Sequence, residues 1–324
     1  MKELVTNFPN QLNEGINIAK GVDLKFDRTI TNVLICGLGG SGIGGELVKQ
    51  WLKGYSELPI EVCHSYELPS YISSSSLVIA CSYSGNTEET LSCLESALEL
   101  DALIIGITSG GKMKEILDET NDQYILVPGG LPPRSALAYP LVQLIEIFEQ
   151  SGVLNDSIKK YLSTSIDLLE KEQQSIISLA KELLEKSEGK KLILYSEDKF
   201  SPVLLRTCQQ INENSKELAF YNVIPEMNHN EIVGWANDQN DLFVVMIRSN
   251  LENKRNHLRL NITNDIISKK SDSINVHALG ENIIEQSLYL IHIFDWLSVF
   301  KADKKNIDVV EVDVIDYLKS ELAK

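Results

Sequence analysis

The sequence predicts an α/β protein in which parallel β-sheets are covered by helices on both faces, in a doubly wound, flavodoxin-like arrangement. Short apolar runs rich in β-branched residues alternate with longer segments of helical periodicity. Glycine-rich and serine-rich turns follow two of the early apolar runs, as is typical where a strand leads into a ligand-binding helix. The alternation starts again after residue 190, so the chain contains two such series.

The first series begins with a predicted N-terminal helix near residues 11–20. The run at residues 33–36 has no charged residue and predicts a buried parallel strand, followed by a glycine turn and a helix from about residue 46. The remaining strands are predicted at residues 60–64, 77–81, 103–107 and 124–127, and the helices at 88–100, 112–120 and 137–151.

The second series follows a long predicted helix at residues 156–186. Its strands are predicted at 191–195, 242–247 and 274–278, and its helices at 203–214, 253–268, 283–300 and within 309–322. A chain of 324 residues has room for two domains of ordinary size. We place the boundary after residue 152, which gives domains 1–152 and 153–324.

Composition excludes several classes of function. The formal net charge of −16 argues against a nucleic-acid partner, because such binding depends on a basic surface. No uncharged apolar run reaches the roughly 18 residues that a membrane helix needs, so no membrane association is expected. The five cysteines are scattered without a CxxC pair. This pattern predicts a reduced, cytoplasmic protein without disulfides or structural zinc.

The glycine turn after the first predicted strand is compatible with two kinds of anion site. Gly37, Gly39 and Gly42 have the spacing of a dinucleotide fingerprint. A nucleotide fold also needs an acidic residue at the end of the second strand to bind the ribose. Here that strand ends in His64 and Ser65. A nicotinamide or flavin cofactor is therefore disfavoured, and no cofactor is expected.

Hydroxyl groups cluster after the third predicted strand. Ser82, Ser84 and Thr87 precede a helix, and Thr87 alone could be no more than its N-cap. The carboxyl ends of parallel strands meet at one edge of a sheet, so these hydroxyls should lie near the glycine turn. Two such loops on neighbouring strands favour a phosphate site over a simple helix cap.

Four segments together resemble the sugar isomerase (SIS) domain family. They are Gly-Leu-Gly-Gly-Ser at 37–41, Cys-Ser-Tyr-Ser-Gly-Asn-Thr-Glu-Glu-Thr at 81–90, Leu-Pro-Pro-Arg-Ser-Ala-Leu at 131–137 and Glu-Met-Asn-His-Asn-Glu-Ile at 226–232. The last two narrow the resemblance to the bifunctional phosphoglucose/phosphomannose isomerases, which are built from two SIS domains. The match at the C-terminal tail is looser.

The resemblance implies reversible isomerisation of hexose 6-phosphates through a cis-enediol, without metal or cofactor. Glucose 6-phosphate and fructose 6-phosphate are the expected substrates, with mannose 6-phosphate as a second aldose. The residues expected to bind the substrate phosphate are Gly39, Gly40, Ser41, Ser82, Ser84 and Thr87.

The resemblance also assigns roles to two residues in the proton-transfer step. Glu213 would be the base that moves a proton between C1 and C2, although by itself it would be read as a solvated helix carboxylate. Arg134 would hold the negative charge of the enediolate with its fixed fork of donors. The alternative for Arg134 is an ordinary arginine in a surface loop, and the two prolines before it favour a positioned side chain.

Ring opening is assigned to two further residues. His229 has an ordinary pKa of about 6.5, so it can give and take protons near neutrality. In the family this histidine completes the site of the neighbouring subunit, which implies a homodimer with shared active sites. Lys319 best fits the family's C-terminal lysine, with competitors at positions 301, 304 and 305.

Two rivals to this interpretation differ in class. One is a regulatory protein that binds sugar phosphates through SIS domains without catalysis. The joint presence of Glu213, Arg134 and His229 argues against it. The other is a metal-dependent phosphomannose isomerase, which the absence of clustered His and Glu ligands disfavours.

Overall fold

The chain folds into two compact units, each built on one parallel sheet with flanking helices, as predicted. The computed structural model describes residues 1–322 and residue 324. One unit comprises Thr6–Glu170, and the other comprises Met1–Val5 with Lys171–Lys324. The domain boundary after residue 152 stays a prediction.

The unit formed by Thr6–Glu170 contains a five-stranded sheet in the order β2-β1-β3-β4-β5. Its strands are β1 (Asn32–Cys36), β2 (Ile60–Cys63), β3 (Ser76–Cys81), β4 (Leu103–Thr108) and β5 (Gln123–Leu126). After the short helix α1 (Lys2–Thr6), the helices are α2 (Phe8–Ala19), α3 (Gly39–Trp51), α4 (Glu88–Glu99), α5 (Gly111–Thr120), α6 (Ala138–Ser151) and α7 (Lys159–Lys171). Every residue of the central β3 is buried, which explains its continuous apolar sequence.

The second unit contains a four-stranded sheet in the order β7-β6-β8-β9. Its strands are β6 (Lys191–Glu197), β7 (Ala219–Ile224), β8 (Leu242–Arg248) and β9 (Asp272–His277). Its helices are α8 (Gln173–Lys186), α9 (Ser201–Ser215), α10 (Lys254–Ile267), α11 (Ile283–Lys304) and α12 (Asp313–Leu322).

The long helix before the second series and strand β7 differ from the sequence prediction. The helix predicted at residues 156–186 is two helices, α7 and α8, because the backbone at Glu172 leaves helical geometry with φ −94° and ψ 7°. Strand β7 was not predicted. It is an edge strand with mostly half-buried or exposed side chains, including Phe220, so it lacks the apolar continuity of a buried parallel strand.

Helix α11 is long and apolar enough to cross a membrane if judged by length and composition alone. However, 89% of its most apolar window is buried inside the protein. It packs against α8 and α9, and its Asp295 forms a buried ion pair with Arg206 at 2.7 Å. Burial of this kind is typical of the core helix of a soluble protein.

Candidate active site

The glycine turn is part of helix α3, which begins at Gly39 rather than near residue 46 as predicted. A Cβ atom on Gly42 would lie 2.4 Å from the Gly37 carbonyl oxygen, and one on Gly40 would lie 2.9 Å from that of Pro133. These glycines therefore let the start of α3 pack against the end of β1 and against the loop that contains Arg134. Gly39 has φ +52°, and the position of its missing Cβ faces open space.

The loop after β3 is held by its own hydroxyl groups. The Ser82 and Thr87 hydroxyl oxygens are 2.9 Å apart, and the Asn86 amide donates to the Ser84 Oγ at 3.2 Å. Thr87 is at the N-cap of α4, but its side chain makes no capping hydrogen bond. Thr87 thus occupies the N-cap position, as the alternative held, but its hydroxyl pairs with Ser82 and not with the helix backbone. Ser84 is exposed, whereas Ser82 is buried.

Tyr83 connects this loop to two others. Its amide donates to the Ser41 Oγ at 3.2 Å, and its hydroxyl donates to the Pro128 carbonyl at 2.8 Å. The same hydroxyl accepts the Leu131 amide at 3.1 Å. The loops that follow β1, β3 and β5 are thus joined through one residue, by its backbone amide and its hydroxyl. No role for Tyr83 was predicted from the sequence, where its place between two serines was the available signal.

Arg134 is a buried residue in a short 3₁₀ helix, Pro133–Ser135. Only 6% of it is exposed, so the alternative of an ordinary surface-loop arginine is wrong. Ser41, at 8% exposure, belongs to the glycine turn that packs on this helix. Because a buried guanidinium needs polar or anionic partners, a charged group is available next to the hydroxyl-rich loops.

A charged pair lies beside the glycine turn. His64 Nδ1 is 2.8 Å from the Gly37 carbonyl oxygen, and its Nε2 is 3.1 Å from the Glu46 carboxylate. Both partners are acceptors, which favours the charged imidazole that donates from both ring nitrogens. The hydrogen bond with Glu46 is the main cause that raises the pKa of His64, and the same bond lowers the pKa of Glu46.

Glu213 lies near the C-terminal end of α9 and is half-buried. It lines a cavity of about 420 Å³ together with Val314 and Ile315 of α12. The Lys216 ammonium donates to the Glu213 carbonyl at 2.8 Å and to a tail carbonyl at 2.6 Å, which holds the tail against α9. Lys319 is exposed on α12, one turn after Ile315 and hence on the same side of that helix.

His229 ends the 3₁₀ helix Glu226–His229 and is exposed. The flanking asparagines hold this turn. Asn228 donates to the Thr263 hydroxyl at 2.8 Å, and Asn230 donates to the Glu226 carboxylate at 2.9 Å. In the described part of the chain, no hydrogen bond to the His229 ring is seen.

The fold and the loop motifs define a protein with two SIS domains. Residues 29–123 match the family model described as "SIS domain", and residues 176–322 match "Bacterial phospho-glucose isomerase C-terminal SIS domain". Among solved structures, the C-terminal domain of glucosamine-fructose-6-phosphate aminotransferase from Francisella tularensis superposes with a TM-score of 0.78. That alignment covers 95% of this chain and 96% of the other at 16% identity, so it concerns the fold alone.

Curated relatives narrow the class to one family. A bifunctional phosphoglucose/phosphomannose isomerase of Caldicellulosiruptor bescii is 37% identical over 100% of this chain and 99% of the relative. A D-glucosamine-6-phosphate 4-epimerase of Sulfolobus acidocaldarius is 33% identical over 69% of this chain and 71% of the relative. The chain belongs to the bifunctional phosphoglucose/phosphomannose isomerase family and is an isomerase.

Proposed function

We propose that the protein interconverts glucose 6-phosphate and fructose 6-phosphate, and also accepts mannose 6-phosphate, by proton transfer through a cis-enediol. The observation that supports this most is the convergence of the loops after β1, β3 and β5 around Tyr83. Those loops contain hydroxyls, two helix N-termini and the buried Arg134. The reaction would belong to cytoplasmic glycolysis and gluconeogenesis.

The substrate phosphate binds at the start of helices α3 and α4. Helix N-termini attract anions, and the open space at Gly39 leaves room for a ligand near the backbone. The His64–Glu46 pair holds the glycine turn through the contact of the His64 ring with the Gly37 carbonyl. The residues that hold the phosphate in this proposal are Gly39, Gly40, Ser41, Ser82, Ser84 and Thr87.

The chemistry begins when His229 and Lys319 assist the opening of the sugar ring. The Glu213 carboxylate then takes the proton from C2 of the open-chain aldose. The C–H electron pair becomes the C1–C2 double bond, and the π pair of the C1 carbonyl moves to O1. Arg134 stabilises the negative charge on the enediolate oxygens. Return of the proton to C1, with transfer of the O2 proton to O1, gives the ketose.

The same intermediate accounts for two aldose substrates. Glucose 6-phosphate and mannose 6-phosphate differ only in configuration at C2, and C2 is planar in the enediol. Protonation of C2 on one face gives glucose 6-phosphate, and protonation on the other face gives mannose 6-phosphate. One base can therefore serve both sugars if the pocket lets the enediol turn about its C2–C3 bond, so that either face of C2 can meet the Glu213 carboxylate.

The proposed sites are shared within a homodimer, with His229 completing the site of its partner. Two observations support this. His229 is exposed. In the same unit, the apolar side chains of Phe220 and Val233 are 52% and 73% exposed. When exposed apolar side chains of this kind form a patch, the patch is typical of a surface that contacts another subunit.

The test is a coupled assay with all three hexose 6-phosphates on the wild type and on Glu213→Gln. We expect turnover to fall on the order of 10² or more, the usual contribution of a general base. Glu217→Gln is the matched control, because Glu217 lines the same cavity but is paired with Lys301 at 3.0 Å. It should keep most of its activity.

The outcomes separate the parts of the proposal. Wild-type turnover in Glu213→Gln would remove Glu213 as the base. Absence of turnover on every hexose 6-phosphate by the wild type would reject these substrates and favour a binding protein without catalysis. Full activity in excess chelator is expected, whereas loss of activity would favour a metal-dependent reaction.

A second candidate activity comes from the Sulfolobus acidocaldarius relative, which is named a D-glucosamine-6-phosphate 4-epimerase. Incubation with glucosamine 6-phosphate, followed by NMR of the product, tests it directly. Formation of the C4 epimer at a rate above that with fructose 6-phosphate would replace the hexose phosphate proposal. We expect no epimer, because the Caldicellulosiruptor bescii relative, which matches over the whole of this chain, is named a bifunctional phosphoglucose/phosphomannose isomerase.

A further inference from the structure

Three cysteines that are far apart in the sequence meet beneath the glycine turn. Cys36 and Cys63 are register partners at the ends of β1 and β2, and Cys93 lies on α4. Their sulfur atoms all lie within 4.8 Å of one another. The parallel sheet brings them together, so no short sequence spacing reveals the cluster.

The sulfur positions match the size of a metal site. The Cys63 and Cys93 sulfurs are 3.8 Å apart. Three sulfurs around one ion, each at about 2.3 Å from it, would lie about 4 Å apart in a trigonal plane. The three cysteines are 1%, 8% and 1% exposed, so Cys63 gives the cluster its contact with solvent.

A thiolate is the form of cysteine that binds metals, so an ion at the cluster would take the place of the three thiol protons.

We propose that Cys36, Cys63 and Cys93 form a three-coordinate thiolate site for one soft monovalent ion, cuprous copper. Soft thiolate ligands select such an ion. Zinc would need a fourth ligand, and both nitrogens of the neighbouring His64 are already engaged. On binding, the thiol protons pass to solvent and no electron is transferred.

The test titrates the reduced full-length protein with cuprous copper under argon, in the presence of bathocuproine disulfonate as competitor. We expect one copper per chain to be withheld from the competitor, with a thiolate-to-copper charge-transfer band in the ultraviolet. Cys93→Ala should lose this ion. Cys81→Ala is the matched control, because Cys81 is a buried cysteine at the end of β3 outside the cluster, and it should keep the ion.

X-ray absorption of the copper-loaded wild type tests the geometry without any variant, and we expect three sulfur neighbours. Two sulfur neighbours, or retention of copper by Cys93→Ala, would overturn the proposal. So would complete transfer of copper to the competitor, or stoichiometric binding of zinc without binding of copper. Formation of a Cys63–Cys93 disulfide as the only product, seen as a loss of two hydrogens in mass, would also overturn it.

Discussion

Tyr83 shows how one residue can position groups that lie on three separate loops. Its backbone amide orients the Ser41 hydroxyl, and its own hydroxyl holds the segment from Pro128 to Leu131 that leads to Arg134. The side chain is 8% exposed, and burial raises the pKa of its hydroxyl, so it stays neutral and can both donate and accept. Neither role involves contact with a substrate, so Tyr83 is a positioning residue.

Tyr83→Phe removes the hydroxyl and leaves the Leu131 amide and the Pro128 carbonyl without this partner. We expect a loss of about 1–2 kcal/mol in the free energy of unfolding. We also expect kcat/KM for hexose 6-phosphates to fall on the order of tenfold, because the loop that leads to Arg134 is no longer held in position. Urea denaturation and steady-state kinetics measure the two effects.

Tyr139→Phe is the control for this prediction. The Tyr139 hydroxyl is also buried, but it donates its hydrogen bond to Glu14 of α2, at 2.6 Å, and not to one of the three loops. It should lower stability by a similar amount and leave kcat/KM near the wild-type value. Equal kinetic losses in both variants would mean that Tyr83 affects activity only through stability.

At the scale of the element, the loop between β3 and α4 depends on glycine for its close approach to the next loop. Gly85 has φ +69°, and a Cβ atom there would lie 1.8 Å from the Gly110 carbonyl oxygen. The Asn86 side chain accepts the Lys112 amide at 3.0 Å, so this loop also holds the first turn of α5. The hydroxyls of the candidate phosphate site are therefore fixed by packing between successive loops.

Gly85→Ala should be strongly destabilising because it combines positive-φ strain with a backbone clash, together about 3 kcal/mol or more. Gly152→Ala separates the two causes, because Gly152 has φ +71° and open space around its missing Cβ. Gly152→Ala should lose only about 1 kcal/mol in the free energy of unfolding. Chemical denaturation of both variants measures the difference, and equal losses would contradict the clash.

The His64–Glu46 pair connects the end of β2 to helix α3 and gives stability a defined pH dependence. Folding raises the pKa of His64 above its ordinary 6.5, so its contribution is complete below that pH and is lost as pH rises through the raised value. Folding lowers the pKa of Glu46 below its ordinary 4.5, so its contribution is present above 4.5 and is lost at lower pH.

His64→Gln should therefore cost more stability at pH 5.5 than at pH 9. His64 is 45% exposed, so solvent screening keeps the difference at about 0.5 kcal/mol. Urea denaturation at the two pH values measures it, and 1 M salt should reduce it. A cost that does not change between the two pH values would mean that folding leaves the pKa of His64 at its ordinary value.

At the scale of the whole molecule, the sequence predicted the class and most of the strands because buried parallel strands are apolar along their whole length, as β3 is. It did not predict β7, since an edge strand such as this one has exposed positions. It could not predict that Arg134 is buried, because that depends on packing between loops after different strands. The cysteine cluster was hidden for the same reason, since register between β1 and β2 places Cys36 beside Cys63.

The proposed homodimer with shared active sites can be tested by mixing two inactive variants. If Glu213 and His229 of one site come from different subunits, a heterodimer of Glu213→Gln with His229→Ala has one site with both native residues. Random exchange of equal amounts should then restore about a quarter of wild-type activity. The control is Glu213→Gln mixed with the double variant that carries both Glu213→Gln and His229→Ala, because no pairing of these subunits supplies a native Glu213. Exchange proven by native mass spectrometry without recovered activity would show that each subunit works with its own histidine.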